Sequence, residues 1–242
     1  MMKPPMEAHC EGCVAGCEAC EEGEGWYSGG RKTLTSRRFV LPRAGASFCV
    51  AQGSGTSTAE LFARGDGHVV WEAADAVLRW LDDEYAPHGL CGRVVLELGA
   101  GTGVCGLACA LLGASRVVLT DLPQAVPLLR RNAAGCAHLW PTATRVEVAE
   151  LTWGDEAAAR AIEGVDLVLA CDCVYQPAHY RDLARTLDAF EAETIVAWLP
   201  RDKSESAFLD LLRSRWTMES FDVSGVRICR AVCVPHVASE SS

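Results

Sequence analysis

Between residues 93 and 215, short apolar, β-branched runs alternate with longer amphipathic stretches, and this constrains the fold more than any other feature of the chain. Strand-type runs fall at 93–98, 116–120, 144–149, 165–171 and 194–199, with helical periodicity at 104–112, 124–134, 178–190 and 204–215. The strand runs show no polar alternation, which implies burial on both faces and hence a parallel sheet covered by helices. Two further runs, 217–223 and 226–234, are separated only by Ser224 and Gly225. So short a connection joins antiparallel strands. The expected architecture is α/β, a mostly parallel sheet completed by a C-terminal antiparallel hairpin.

Upstream, runs at 38–41 and 48–51 flank the turn formers Pro42 and Gly45, which predicts an N-terminal β-hairpin packed on the main sheet. Val70, Trp71, Ala74, Val77, Leu78 and Leu81 recur at three-and-four spacing and predict a helix over 70–85, ended by Pro87 and Gly89. Residues 1–36 lack such periodicity and are read as a disordered, acidic, Cys-rich tail; residues 37–242 are read as one domain.

Charge and cysteine usage narrow the class. The net charge of -10 excludes the basic face that non-specific nucleic-acid binding needs, and residues 1–25 supply about half of it, with six Glu against one Lys. No run of eighteen apolar residues and no basic-then-apolar leader is present, so no membrane span is expected and the expected location is the cytoplasm, with the nucleus as a further possibility. Of 13 cysteines, nine lie in apolar or mixed segments and are read as reduced thiols. Cys10, Cys13, Cys17 and Cys20 beside His9 are spaced too tightly for an ordinary tetrahedral zinc site, so no metal is assigned.

The residues with chemical content sit at strand ends. Glu97 precedes Gly99-Ala100-Gly101-Thr102-Gly103, a turn between the first parallel strand and a helix, where free backbone N–H groups face a ligand. The next strand ends in Thr120-Asp121-Leu122, and a carboxylate there accepts hydrogen bonds from both ribose hydroxyls of a nucleoside. Gly101, Gly103 and Gly106 also fit the dinucleotide fingerprint, with Asp121 at the appropriate distance. The crowded glycines after Glu97, and the lack of room for a separate catalytic domain, favour a nucleoside cofactor without a pyrophosphate. Trp153 precedes Gly154 in a polar turn, an odd place for a core indole but a suitable one for stacking on a base. Asp172 and Tyr175 follow a buried strand at its C-terminal end, where open α/β sheets bind ligands; a helix-capping Asp is the alternative.

The segments 94–106 and 120–122, Leu151-x-Trp153-Gly154 and Asp172-Cys173-Val174-Tyr175, with Val70-Trp71 upstream, together resemble the methyltransferase-like 21 group of protein-lysine methyltransferases, the seven-β-strand family 16. The resemblance spans residues 38 to 234. It implies a class I methyltransferase sheet, Rossmann-like, with strand order 3-2-1-4-5-7-6, and S-adenosylmethionine as cofactor. It places Trp71, Glu97, Gly99, Ala100, Gly101, Gly103, Asp121, Leu122, Trp153 and Cys171 around that cofactor, with Cys171 standing where the family commonly has Ala. It also implies a protein partner presenting a lysine, with Asp172 and Tyr175 serving the acceptor, and a monomer is expected. The Asp-x-x-Tyr arrangement lacks the Asn-Pro-Pro-Tyr pattern of amide and adenine methylation. The same cofactor half would serve a small molecule or another protein nucleophile equally well. A non-catalytic partner that keeps the fold is a further reading, opposed by the intact Glu97, Asp121 and Asp172.

Overall fold

A computed structural model describes residues 36–53, 66–201, 205–213 and 215–233. The tail expected at 1–36, with its four cysteines, therefore lies outside the described residues, except for Ser36, which already opens the first strand. Strands β1 (Ser36–Leu41) and β2 (Ala46–Ala51) form a hairpin, and helix α1 (Glu72–Tyr85) follows. The alternating part runs β3 (Val94–Leu98), α2 (Val104–Leu111), β4 (Arg116–Asp121), α3 (Val126–Cys136), β5 (Arg145–Glu150), α4 (Glu156–Arg160), β6 (Leu167–Cys171), α5 (Tyr180–Leu187), β7 (Glu193–Trp198) and α6 (Glu205–Arg213). Strands β8 (Trp216–Val223) and β9 (Val226–Cys233) close the chain.

Seven strands form one sheet in the order β5-β4-β3-β6-β7-β9-β8. Strands β3 to β7 pair in parallel, whereas β9 pairs antiparallel with both β7 and β8. Counted from the first strand of the sheet, this is the 3-2-1-4-5-7-6 order. Ser224 and Gly225 both adopt positive φ, 51° and 83°, as a two-residue primed turn requires. Strands β3, β4, β6 and β7 are apolar and buried on both faces, as their composition predicts. Strand β5 departs from that expectation: it lies at the edge, partly exposed along its length, and Glu147 there takes ion pairs from Arg116 and Arg145, both at 2.8 Å. An edge strand has one neighbour fewer, and charges suit it.

The N-terminal hairpin packs on helices α1 and α3, not on the main sheet, whose face on that side those helices already cover. Phe39, Leu41, Phe48 and Val50 join the core that α1, α2 and α3 share. Polar ties fix the contact: Arg37 donates twice to Asp75 at 2.9 Å, and buried Asp82 accepts the N–H groups of Arg43 and Ala44 at 2.8 and 3.0 Å. Buried Asn132 of α3 exchanges two hydrogen bonds with the backbone of Ala51, and it also donates to the carbonyl of Thr102 at 2.9 Å. The hairpin is thereby coupled to the glycine turn.

Helix α1 begins at Glu72, two residues later than the periodicity predicts. The Val70 N–H donates to Gln52 Oε1 at 2.8 Å, and the Gly53 N–H donates to the His68 carbonyl at 2.7 Å. These bonds hold the approach extended, so Trp71, at φ -82° and ψ 158°, stands off the helix's apolar face. The short α4 gave no periodic signal in only five residues; Asp155 caps it by accepting the Ala158 N–H at 3.0 Å.

Candidate functional site

The C-terminal ends of β3, β4 and β6 converge on a cavity of about 350 Å³, within the ~300–1,000 Å³ usual for small-ligand pockets. Its floor is the turn after β3. Gly99 and Gly101 have φ of 62° and 55°, and the Ala100 N–H donates to the Thr120 carbonyl at 2.9 Å, joining the turn to β4. At Gly99 a Cβ atom would lie 2.9 Å from both Cys173 Sγ and Trp153 Cζ2, so a side chain there is excluded twice, by conformation and by crowding.

Two carboxylates brace this turn. Asp121 Oδ2 accepts the Gly101 N–H at 2.6 Å, and its Oδ1 accepts the Leu122 N–H at 2.7 Å. Each oxygen keeps a lone pair for an incoming hydroxyl. Glu97 is buried and accepts the Gly106 N–H at 2.8 Å. Burial pushes its carboxyl up to about 8, with that N–H opposing the shift and Asp121 adding to it. Because the raised value means the native state holds a proton that the unfolded chain has lost, Glu97 lends stability at low pH. That contribution declines as pH rises from about 4.5 to about 8. In the ligand-free protein the fall in melting temperature between pH 6 and pH 8.5 should therefore be smaller in Glu97→Gln than in the wild type, measured by calorimetry; equal falls would refute the assignment.

The segment before α1 folds over the turn. Gly67 packs so closely that a Cβ there would lie 2.8 Å from Ala125 Cβ, with Gly101 Cα and Asp121 Oδ2 in contact at 3.4 and 3.5 Å. Val69, Val70 and Trp71 continue along the same wall, while Leu122 and Ala125 line another side. Leu151, Thr152 and Trp153 follow β5 and complete the apolar part. Cys171 ends β6 facing the cavity, its thiol hydrogen-bonded with that of Cys105; this bond, and then burial, hold the Cys105 thiol well above its usual range.

Past β6 the chain turns sharply at Asp172, whose φ of 56° is left-handed, a conformation Asp tolerates better than most side chains. The Asp172 carboxylate, 3% exposed, receives a two-pronged ion pair from Arg201, with both N–O distances 2.9 Å. The helix-capping alternative for Asp172 gives way to this pairing across the sheet end. Tyr175, His179 and Asp182 also line the cavity.

Of the residues singled out by sequence, Trp71, Glu97, Gly99, Ala100, Gly101, Asp121, Leu122, Trp153, Cys171, Asp172 and Tyr175 all line this one cavity. Gly103 does not. It is the left-handed residue before α2 at φ 85°, and a Cβ on it would meet Leu129 Cδ1 at 2.6 Å, so its role is to let α2 pack on α3. Sequence reasoning missed Gly67, Cys105, His179, Asp182 and Arg201; no spacing rule links them to the strand ends. Among the described residues no group of three His, Cys, Asp or Glu side chains is placed to hold a metal ion. No described helix is long and apolar enough to cross a membrane.

Residues 55–215 match the family model described as lysine methyltransferase. The chain belongs to that family. A mouse (Mus musculus) relative, protein-lysine methyltransferase METTL21E, is 31% identical over 180 residues, covering 69% of this chain and 71% of that protein. Zebrafish (Danio rerio) protein N-lysine methyltransferase METTL21A is 35% identical over 156 residues, covering 62% and 69%. Among solved structures, the T. thermophilus 16S rRNA methyltransferase RsmC, in complex with AdoMet and guanosine, superposes with a TM-score of 0.57 at 21% identity, covering 83% of this chain and 51% of that one. At that identity the likeness extends to the methyltransferase fold alone. The cavity lies at the C-terminal ends of the parallel strands β3, β4 and β6, where open α/β sheets bind ligands.

Proposed function

We propose that the protein transfers a methyl group from S-adenosylmethionine to a lysine side chain of another protein, at the cavity above the glycine turn. The observation that carries this reading is the Asp121 carboxylate. It is anchored by two backbone N–H groups and still has lone pairs for two ribose hydroxyls, at the place where a nucleoside lies along the turn. Leu151 and Trp153 offer an apolar slot for the adenine, and Glu97 a buried acceptor beside the turn. Asp172 and Tyr175 remain for the acceptor end, and Trp71, which the resemblance places at the cofactor, lies beside Arg201 and borders that end as well.

S-adenosylmethionine, when bound, supplies a methyl group already activated on a sulfonium. The protein must then present a nucleophile in line and exclude water. The acceptor is the harder half: with a pKa near 10.4, roughly one lysine in 2,500 is neutral at pH 7, equivalent to about 4.6 kcal/mol. The amine nitrogen forms the new N–C bond as the S–C bond breaks, and its proton leaves to water. In this reading Tyr175 and Trp71 desolvate the amine, and Asp172 orients it through the lone pair that Arg201 leaves open. A melting-temperature screen tests the cofactor half: S-adenosylmethionine should raise the midpoint and NAD should not. The reverse result would make the glycine turn a dinucleotide site and remove the proposal.

A further inference from the structure

Resting on the lysine reading above, we infer that Arg201 is a positioning residue that cancels the charge of Asp172, so that the acceptor-facing carboxylate orients the amine without holding it as an ammonium. A bare carboxylate beside the acceptor would work against the reaction. An opposite charge within about 4–6 Å raises an amine's pKa by roughly 1–3 units, and each unit leaves tenfold less of the neutral nucleophile. The Asp172 side chain is 3% exposed, so water does little to screen it.

The geometry around Asp172 bears this out. Both its oxygens face Arg201 at 2.9 Å, and the Leu199 N–H points at Oδ1 from 3.5 Å. The Asp172 N–H donates to the Ala197 carbonyl at 2.6 Å, fixing the backbone beneath the pair. Arg201 is in turn held in place: its own N–H donates to Glu205 Oε1 at 2.7 Å, and its guanidinium carbon lies 6.0 Å from the Trp71 ring centre. Trp71 and Asp172 both line the cavity, so the ion pair sits at its acceptor end, with the Arg201 side chain 37% exposed.

Other charged groups nearby do not substitute for Arg201. From α1, Glu72 adds negative charge near the guanidinium, and Asp75 is engaged by Arg37 at 2.9 Å. Glu205 adds negative charge from α6, and Cys171, Cys173 and Tyr175 from the β6 end are neutral when protonated. His179, in the short turn Pro177–His179, and Asp182 of α5 border the cavity, and Asp182 lies 3.8 Å from Arg185. Without Arg201 the Asp172 carboxylate would have no cationic partner among these groups.

The test is the initial rate of radiolabelled methyl transfer into lysate protein from pH 6.5 to 10, for the wild type, Arg201→Gln, Arg201→Lys and the double variant Asp172→Asn/Arg201→Gln. Cofactor affinity is measured on each to establish folding. Arg201→Gln should shift the acidic limb of the profile upward by about one pH unit or more, losing about tenfold at pH 7 and recovering near pH 9.5. Arg201→Lys should keep the limb near the wild-type position. The double variant, having lost both charges, should also return the limb to the wild-type position at a lower maximum. A Gln profile parallel to the wild type, or a double variant still shifted, overturns the inference. A wild-type protein that labels no lysine at all instead defeats the lysine reading on which it rests.

Discussion

Asp121→Ala should weaken S-adenosylmethionine binding by about 30- to 1,000-fold. Two charge-assisted hydrogen bonds to the ribose account for roughly 2–4 kcal/mol, at about 1.4 kcal/mol per tenfold. The site adds a second reason for the loss. Asp121 also accepts the Gly101 and Leu122 N–H groups, so its removal leaves the glycine turn without its brace. Asp121→Asn keeps one acceptor and should fall between. Titration calorimetry measures both variants directly, and an Asp121→Ala affinity within threefold of the wild type would remove Asp121 from the cofactor site.

Asp172→Asn should lower methyl transfer by about 10² or more while leaving cofactor affinity nearly unchanged, the scale expected when a positioned polar group at the reacting centre is lost. Asn tolerates the left-handed backbone at φ 56° and still offers Arg201 one acceptor oxygen. The ion pair makes this variant less silent toward folding than position alone suggests, since Arg201 loses its anionic partner. More than a third of the Arg201 side chain is exposed, and water replaces much of what is lost, so the melting midpoint should drop by about 2–4 °C. Transfer that falls only in proportion to cofactor binding would mean that Asp172 shapes the pocket and does not serve the acceptor.

Most of the sheet was legible because its signals are local. The Leu167–Cys171 run is apolar throughout and the Val94–Leu98 run apolar but for Glu97, and burial on both faces accommodates that. Ser224-Gly225 likewise announces its own turn. Misreadings arose where a distant partner overrode a local pattern. Val70 and Trp71 continue the helical spacing of α1, yet Gln52, 18 residues earlier, takes the Val70 N–H and keeps them extended. Gly103 fits a cofactor fingerprint, but the side chain that forbids a Cβ there is Leu129 of α3. The edge position of β5 shows only faintly in Arg145 and Glu147.

The acceptor end was the least legible part of the site. Asp172 and Tyr175 stand out because they follow a buried strand, whereas Arg201 follows β7, 29 residues from Asp172. What joins them is that β6 and β7 are paired neighbours, with Cys171 opposite Ala197, so their C-terminal ends emerge side by side. Strand adjacency of this kind is set by the whole topology and leaves no trace in residue spacing. For the same reason Gly67 reads as an ordinary loop glycine until the segment before α1 is laid over Gly101.

The most direct measurement is mass spectrometry of lysate protein labelled by the purified enzyme and S-adenosylmethionine, with Asp121→Ala as the paired control. The account predicts methyl groups on lysine side chains of one or a few protein bands, present with the wild type and strongly reduced with Asp121→Ala. Label confined to nucleic acid, small molecules or side chains other than lysine, or label equally strong with Asp121→Ala, would contradict it.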